Sequence, residues 1–432
     1  MDLAATAIAL GSESWIGADA TQSQDAFHQR ASAFIAAVKW DALLSISSRI
    51  RHGTPCKVSD EFSVGHSNML RRIVFDDQVS WIARLRMPPV SDLPDDREAA
   101  SDARIMQVEV AGMKFLKAKT DIPVPVVHAY NTDQDNDVGA PYILMDYIHG
   151  NVASELRLAK NCALGLHGNP EQDRSFRQKM AKIQAVLATF TSDQIGSLYQ
   201  DPATKDFIVG PDIETDKGPW SRSSDYYADL AEHSLRVCVN NAAPEVVTSA
   251  SFALPVIFTN LMKRPGDRDS DGNSSNAAAA MFCLTNRDFG PHNLLVDEEF
   301  HIIGVIDLDG IMAAPYEVAA QFPVLAGLDP EPPGCVETMP MAIERIKRTE
   351  PLIREYRSMV KEIEESAGST GRKIWSLMLS NGARAVQGLG RYKGHQKRVM
   401  TDGWMHMLGF LLSMSIPQLT ARLGIKNRGW IQ

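Results

Sequence analysis

The sequence predicts an α+β protein, with a small mixed-sheet domain followed by a larger, mainly helical one. Three observations predict it. Short β-prone runs at residues 69–75, 79–85, 124–130 and 142–147 surround one helical-period segment at 103–119. Beyond Gly150, segments 175–190, 224–240, 341–365 and 371–389 repeat apolar residues at helical spacing with charged outer faces. The chain has 432 residues, and at roughly 150 residues per domain that length fits two or three domains.

Each element has its own signal. Between residues 22 and 51, Phe27, Ala31, Phe34, Ile35, Val38, Leu43, Leu44 and Ile50 recur at helical spacing, so one or two amphipathic helices should form an N-terminal extension over residues 1–51 and brace the sheet domain, 52–148. Asp76, Asp77 and Gln78 form a polar hairpin turn between two strands. After a loop rich in Pro and Asp at 88–96, the helix at 103–119 is stopped by Pro123 and Pro125. The helical part, 149–432, should be kinked or broken at Pro351 and should carry a polar loop at 267–276, with short strands at 281–284, 294–297 and 300–308. The apolar stretch 404–417 is interrupted by His406, Gly409 and two serines and falls short of the ~20 residues that span a bilayer. It reads as a buried core helix.

Composition narrows the function. With 44% hydrophobic and 22% charged residues the chain is a globular protein, and its net charge of −9 argues against a broad grip on nucleic acid or anionic lipid. Neither nucleic acid nor membrane is an expected partner. The five cysteines, Cys56, Cys162, Cys238, Cys283 and Cys335, lie far apart and suggest neither a disulfide framework nor a zinc knuckle. Asp2 stands where a signal peptide would carry Lys or Arg, so a cytoplasmic location is expected.

The informative segment runs from Leu284 to Asp297 and reads LTNRDFGPHNLLVD. Asp288 and Asn293 sit five positions apart on a loop closed by Gly290 and Pro291, and an apolar strand then delivers Asp307 fourteen residues on. Phosphoryl transfer can use that trio: a carboxylate to orient or deprotonate the attacking hydroxyl, and hard oxygen ligands for Mg²⁺. Asp288 fits the first role, Asn293 and Asp307 the second. The plain alternative is an Asx-rich hairpin, since Asp, Asn, Gly and Pro are ordinary turn formers. Asp309, next to Gly310, fits either a metal or substrate contact or a simple turn, while His292 and His66 read as loop residues.

Together with GVIDLD at 304–309, TDIPVP at 120–125 and GAPYILMDYIHG at 139–150, this segment resembles the aminoglycoside phosphotransferase and choline kinase group, in particular the phosphotransferase-domain proteins common in fungi. The resemblance runs from about residue 62 to residue 322. It implies a bilobal protein-kinase-like fold, an ATP site between the lobes, and transfer of the γ-phosphoryl group to a hydroxyl of a small-molecule acceptor, with ATP and Mg²⁺ as cofactors. Residues 62–68 resemble the phosphate-covering loop, in which Gly65, Ser67 and Asn68 would approach the phosphates. Arg84 takes the place of the cation that grips the α and β phosphates, with Arg86 on the same face of the strand as runner-up, and Glu109 takes that of its partner carboxylate. Residues 145–148 resemble the interlobe hinge, where the backbone of Asp146 and Ile148 would read the adenine edge. One departure is visible: the family usually has His two positions before the catalytic Asp, and here Asn286 stands there. A kinase-like regulator without transfer activity, or a pocket repurposed for non-phosphoryl chemistry, is the alternative.

Overall fold

The β-prone runs build a six-stranded antiparallel sheet of order β1-β2-β3-β4-β6-β5. Its strands are β1 (Trp15–Ile16), β2 (Cys56–Val64), β3 (Asn68–Phe75), β4 (Ser80–Arg86), β5 (Val127–Asn131) and β6 (Tyr142–Asp146). The computed structural model describes residues 15–16, 26–65, 67–88, 99–240, 281–328, 330, 342–368, 372–380, 382–383 and 386. His66, the segments 267–276 and 404–417, and residues 371, 381, 384–385 and 387–389 lie outside the described residues.

The expected hairpin is present, with Val74 opposite Ser80 and the Phe75 N–H donating to the Val79 carbonyl at 2.9 Å. The sequence did not reveal β2. Only Phe62 of its nine residues is buried, and its register shifts between Val58 and Phe62, so no alternation marks it as a strand. Residues 62–64 therefore end β2.

Helices α1 (Ala26–Ala37) and α2 (Trp40–Ile50) brace this sheet as their periodicity suggests. Ala31, Phe34, Val38 and Leu43 share one buried cluster with Phe62, Met69, Ile73, Phe75, Trp81 and Leu85. Helix α3 (Ala99–Lys119) follows β4, beginning four residues before its expected start.

Beyond residue 150 the helices α4 (Ala153–Ala159), α5 (Pro170–Ala188), α6 (Ser223–Asn240), α7 (Tyr316–Ala319), α8 (Ala342–Ser366) and α9 (Ile374–Leu377) are joined by eight short strands among the described residues. Helix α8 runs through Pro351 without being broken. Strands β7 (Asn151–Val152), β12 (Leu294–Val296) and β13 (Ile302–Val305) form a three-stranded sheet. Strands β8 (Thr191–Ser192), β9 (Gly196–Gln200), β10 (Phe207–Gly210), β11 (Phe282–Asn286) and β14 (Ile311–Ala314) form a five-stranded one. This region is thus less purely helical than the sequence suggested, because runs of two to five residues are too short to show a period of two.

The chain divides into two compact units. The first holds residues 1–176, 199–207 and 290–310; the second holds 177–198, 208–289 and 311–432. The α+β class holds for the described residues, and none of their helices is long and apolar enough to cross a membrane.

Candidate functional site

In the first unit, β4 is buried at six of its seven positions and carries Arg84 into that interior at 9% exposure. A guanidinium there needs partners, and three groups supply them. Nη1 donates to Oε1 of Glu109, which sits on α3 and is 2% exposed, and Nη2 donates to Oδ1 of Asp307 at 2.9 Å. With its amide oxygen turned toward the arginine, Asn68 accepts from Nη2 at 2.8 Å and from Nε at 3.3 Å. Arg86 instead donates to Asp102 in the first turn of α3. The two candidate cations are therefore distinguished: Arg84 meets Glu109 and Asp307, and Arg86 ties β4 to the start of the helix.

Asn293 and Asp307 come together through the hairpin β12–β13. Leu294 pairs with Val305, and the Ile306 N–H donates to the Asn293 carbonyl at 3.0 Å, so both residues stand at the same end of the hairpin. Asn293 is itself set by a 3-10 turn, Pro291–Asn293, in which its N–H donates to the Gly290 carbonyl. Asp307 has φ +57°, the left-handed region that Asp tolerates better than most residues and that concentrates at functional sites.

Electrostatics around Arg84 are lopsided. Burial alone would discharge the guanidinium, but Glu109, Asp307 and Asp309 outweigh it and hold Arg84 firmly charged. Burial pushes the Glu109 carboxyl up to about 8; Arg84 pulls against that rise, and Asp307 and Asp309 add to it. For Asp307, burial raises the carboxyl, yet the charge and hydrogen bond of Arg84 carry it below its ordinary value. The set thus holds an ionised Asp307 amid more carboxylate than one guanidinium neutralises, with the Asn293 backbone bonded beside it to Ile306. Carboxylate oxygen is the kind of ligand that a hard divalent cation takes. Among the described residues no cluster of three His, Cys, Asp or Glu side chains forms a metal cage.

The other predicted residues of this unit take up local roles. The Gly65 N–H closes the β2–β3 turn onto the Asn68 carbonyl at 2.8 Å, and the Ser67 carbonyl accepts from Met87 at 2.9 Å. The Asp146 side chain faces β5, where it accepts from the Val126 N–H at 3.2 Å and pairs with Nε2 of His128 at 2.7 Å; that histidine first of all holds the carboxyl low. His128 in turn stacks on Trp81 at 3.9 Å. Ile148 lies close to Gly304, where an added Cβ would lie 3.0 Å from its Cδ1 and 3.2 Å from the Leu295 Cβ, so a larger residue there would have to displace them slightly. The candidate hinge thereby adjoins the hairpin that carries Asn293 and Asp307.

The second unit holds Asp288. Strand β11 pairs with β14, Asn286 opposite Ile311, and delivers the loop Asn286, Arg287, Asp288, Phe289. Asn286 is buried, and its Oδ1 accepts from the Asp288 N–H at 3.1 Å, the local scaffolding contact open to an Asn in a histidine's place. Its Nδ2 is buried with no hydrogen-bond partner among the described residues. The Phe289 carbonyl accepts from the Val324 N–H at 2.8 Å.

Sequence reasoning missed Arg287. Its Nη2 donates to Oδ1 of Asp212 at 2.6 Å and its Nη1 to Oε2 of Glu214 at 2.8 Å. Tyr226 is a further hydrogen-bond partner, its hydroxyl pushed upward chiefly by burial. The one available signal was a cation squeezed between Asn286 and Asp288. Its anchors lie more than seventy residues upstream and follow no recognisable spacing.

No family model matches the chain. A subtelomeric hrmA-associated cluster protein of Aspergillus fumigatus is 33% identical over 112 residues, 24% of this chain and 20% of that protein. The Altered inheritance of mitochondria protein 9, mitochondrial, of Kluyveromyces lactis is 25% identical over 264 residues, 49% of this chain and 42% of that protein. These matches span between one fifth and about two fifths of the curated relatives' length. The neighbours among solved structures are aminoglycoside and macrolide phosphotransferases and small-molecule kinases. One, a candidate aminoglycoside phosphotransferase of Ralstonia eutropha, has a TM-score of 0.47 at 14% identity and covers 91% of this chain and 100% of that one. At such values the functional reading rests on the residues themselves.

Proposed function

We propose that the protein is an ATP- and Mg²⁺-dependent phosphotransferase of bilobal kinase-like fold, acting on a hydroxyl of a small molecule. One observation carries the reading. Arg84 joins Glu109 to Asp307, and the β12–β13 hairpin holds Asn293 and Asp307 at one end, which supports reading Arg84 as the phosphate-gripping cation and Asn293 and Asp307 as the metal ligands. In this reading Asp288 accepts the proton of the acceptor hydroxyl as its oxygen attacks the γ-phosphorus. The bond from that phosphorus to the β–γ bridging oxygen breaks, and ADP is released. Arg84 binds the α and β phosphates, held in aim by Glu109. Asn293 and Asp307 would hold Mg²⁺, which when bound supplies charge neutralisation on the phosphates.

A second reading, a nucleotide-binding regulator without transfer activity, is favoured by Asn286 itself, which stands where the family has His and whose buried Nδ2 has no hydrogen-bond partner among the described residues. The proposed compartment is the cytoplasm, in keeping with the free thiols of Cys56, Cys162 and Cys283. The partner proposed is the acceptor alone, without nucleic acid or membrane. The experiment is a thermal-shift screen of nucleotides with and without Mg²⁺, followed by phosphorylation of a metabolite extract. Preferential binding to the folded state raises Tm. A Mg²⁺-dependent shift with ATP and a phosphorylated product are expected; no shift with any nucleotide would overturn the reading.

A further inference from the structure

We infer that Arg287 is a positioning residue, whose half-buried guanidinium, clasped by Asp212 and Glu214, fixes the loop that presents Asp288 and so ties turnover to the segment 211–217. This rests on the phosphotransferase reading and extends it to residues outside the nucleotide and metal groups.

The anchor is itself rigid. Asp212 is fully buried, and besides Arg287 it accepts from the N–H and the hydroxyl of Thr215 through Oδ2, at 3.1 and 3.0 Å. The segment closes on itself, with the Asp212 N–H on the Lys217 carbonyl at 2.8 Å and the Asp216 N–H on the Asp212 carbonyl at 2.9 Å. The Ile213 N–H donates to the Ser197 hydroxyl of β9 at 3.1 Å, and β9 pairs with β14, the neighbour of β11. On the far side Lys217 reaches Asp229 at 2.6 Å and Glu232 at 2.8 Å on α6, and the Trp220 indole donates to Asp229 at 2.7 Å. The loop of Asp288 is thus held at Asn286 by its strand, at Arg287 by two ion pairs and at Phe289 by Val324.

Of the three charges only Asp212 is fully buried, so removing the cation would leave that carboxylate unpaired in the interior, which is strongly destabilising. An anchor of the turn alone could have been built from apolar packing. The fork geometry of Arg fixes direction as well as position, and the residue so fixed is the immediate neighbour of Asp288. Angular error at the proton acceptor is what a turnover assay reads most sensitively.

The test compares wild type, Arg287→Ala, Arg287→Lys, and a neutral triple variant, Arg287→Met with Asp212→Asn and Glu214→Gln, which folds without an uncompensated buried charge. Two readouts are taken: steady-state kcat and KM for Mg-ATP, and hydrogen exchange of the Asp288 and Phe289 amides, with the β3–β4 amides as reference. The expected result is a fall in kcat of about 100-fold in Arg287→Ala and in the triple variant, with KM for ATP within about 3-fold. Partial recovery is expected in Arg287→Lys, and faster exchange of the two loop amides alone. A triple variant with wild-type kcat, or loop amides that exchange as in wild type, would overturn the inference. If wild type transfers no phosphoryl group, the phosphotransferase reading falls, and the exchange data still decide whether Arg287 holds the loop.

Discussion

Replacing Arg84 by Ala should weaken ATP binding and destabilise the fold, and the two effects can be separated. Arg84 is preorganised by Glu109, Asp307 at 2.9 Å and the Asn68 amide, so the loss to a bound nucleotide is that of a charge-assisted contact, roughly 1.5–3 kcal/mol. That corresponds to an increase in Kd of about 10- to 150-fold. The same substitution leaves Glu109, 2% exposed, without its cation. Breaking a buried pair at one end costs about 3–5 kcal/mol, less here to the extent that Glu109 takes up a proton, as its raised pKa favours. Combining Arg84→Ala with Glu109→Gln removes the uncompensated charge, so Tm should recover while ATP affinity stays low. Arg84→Lys should recover part of the affinity, since it returns the charge without the fork. Arg86→Ala is the control, because its guanidinium is spent on Asp102. Isothermal titration with a non-hydrolysable ATP analogue decides it: a strong effect at Arg86 and none at Arg84 would move the phosphate contact two residues along the same face of β4, and none at either would refute the phosphate assignment in favour of a regulator.

Three further outcomes are expected. Asp307→Asn should weaken nucleotide binding in the presence of Mg²⁺ far more than in its absence, measured by titration with and without EDTA; equal effects in both would remove Asp307 from the metal. Asn286→His should keep or raise turnover at unchanged Tm, and Asn286→Ala should lower turnover, because the contact at 3.1 Å to the Asp288 N–H is lost; a dead His variant of normal stability would show that Asn286 does chemistry of its own. Glu109 titrates higher in the fold than its unfolded value of 4.5, so its contribution to stability is full below that pH and is lost as pH rises toward about 8. Thermal unfolding of Glu109→Gln should therefore lose less stability than wild type between those limits, and parallel curves would contradict the assignment.

The parts legible in the sequence were those where a period or a fixed local order does the work. Strands β3, β4 and β6 and helix α3 carry buried runs long enough to show their spacing, and Asp288, Asn293 and Asp307 follow one another along a single stretch of chain. Strand β2 was hidden because its only fully covered side chain is Phe62, and β14 because four buried residues, Ile311 to Ala314, suit a short helix as well as a strand. The choice between Arg84 and Arg86, two residues apart on one face, is a tertiary matter: it depends on which of them meets Glu109 and which meets Asp102. The anchoring of Arg287 by Asp212 and Glu214 is likewise tertiary, a contact between the loops that follow β10 and β11, invisible until the order of that sheet is known.

The most direct test of the central claim is transfer of label from γ-labelled ATP to a small-molecule fraction in the presence of Mg²⁺, by wild type and by Asp288→Asn. If Asp288 takes the proton of the acceptor hydroxyl, the variant should bind Mg-ATP within about 3-fold of wild type and lose turnover by about 100-fold or more. Near-full transfer by Asp288→Asn would contradict the account.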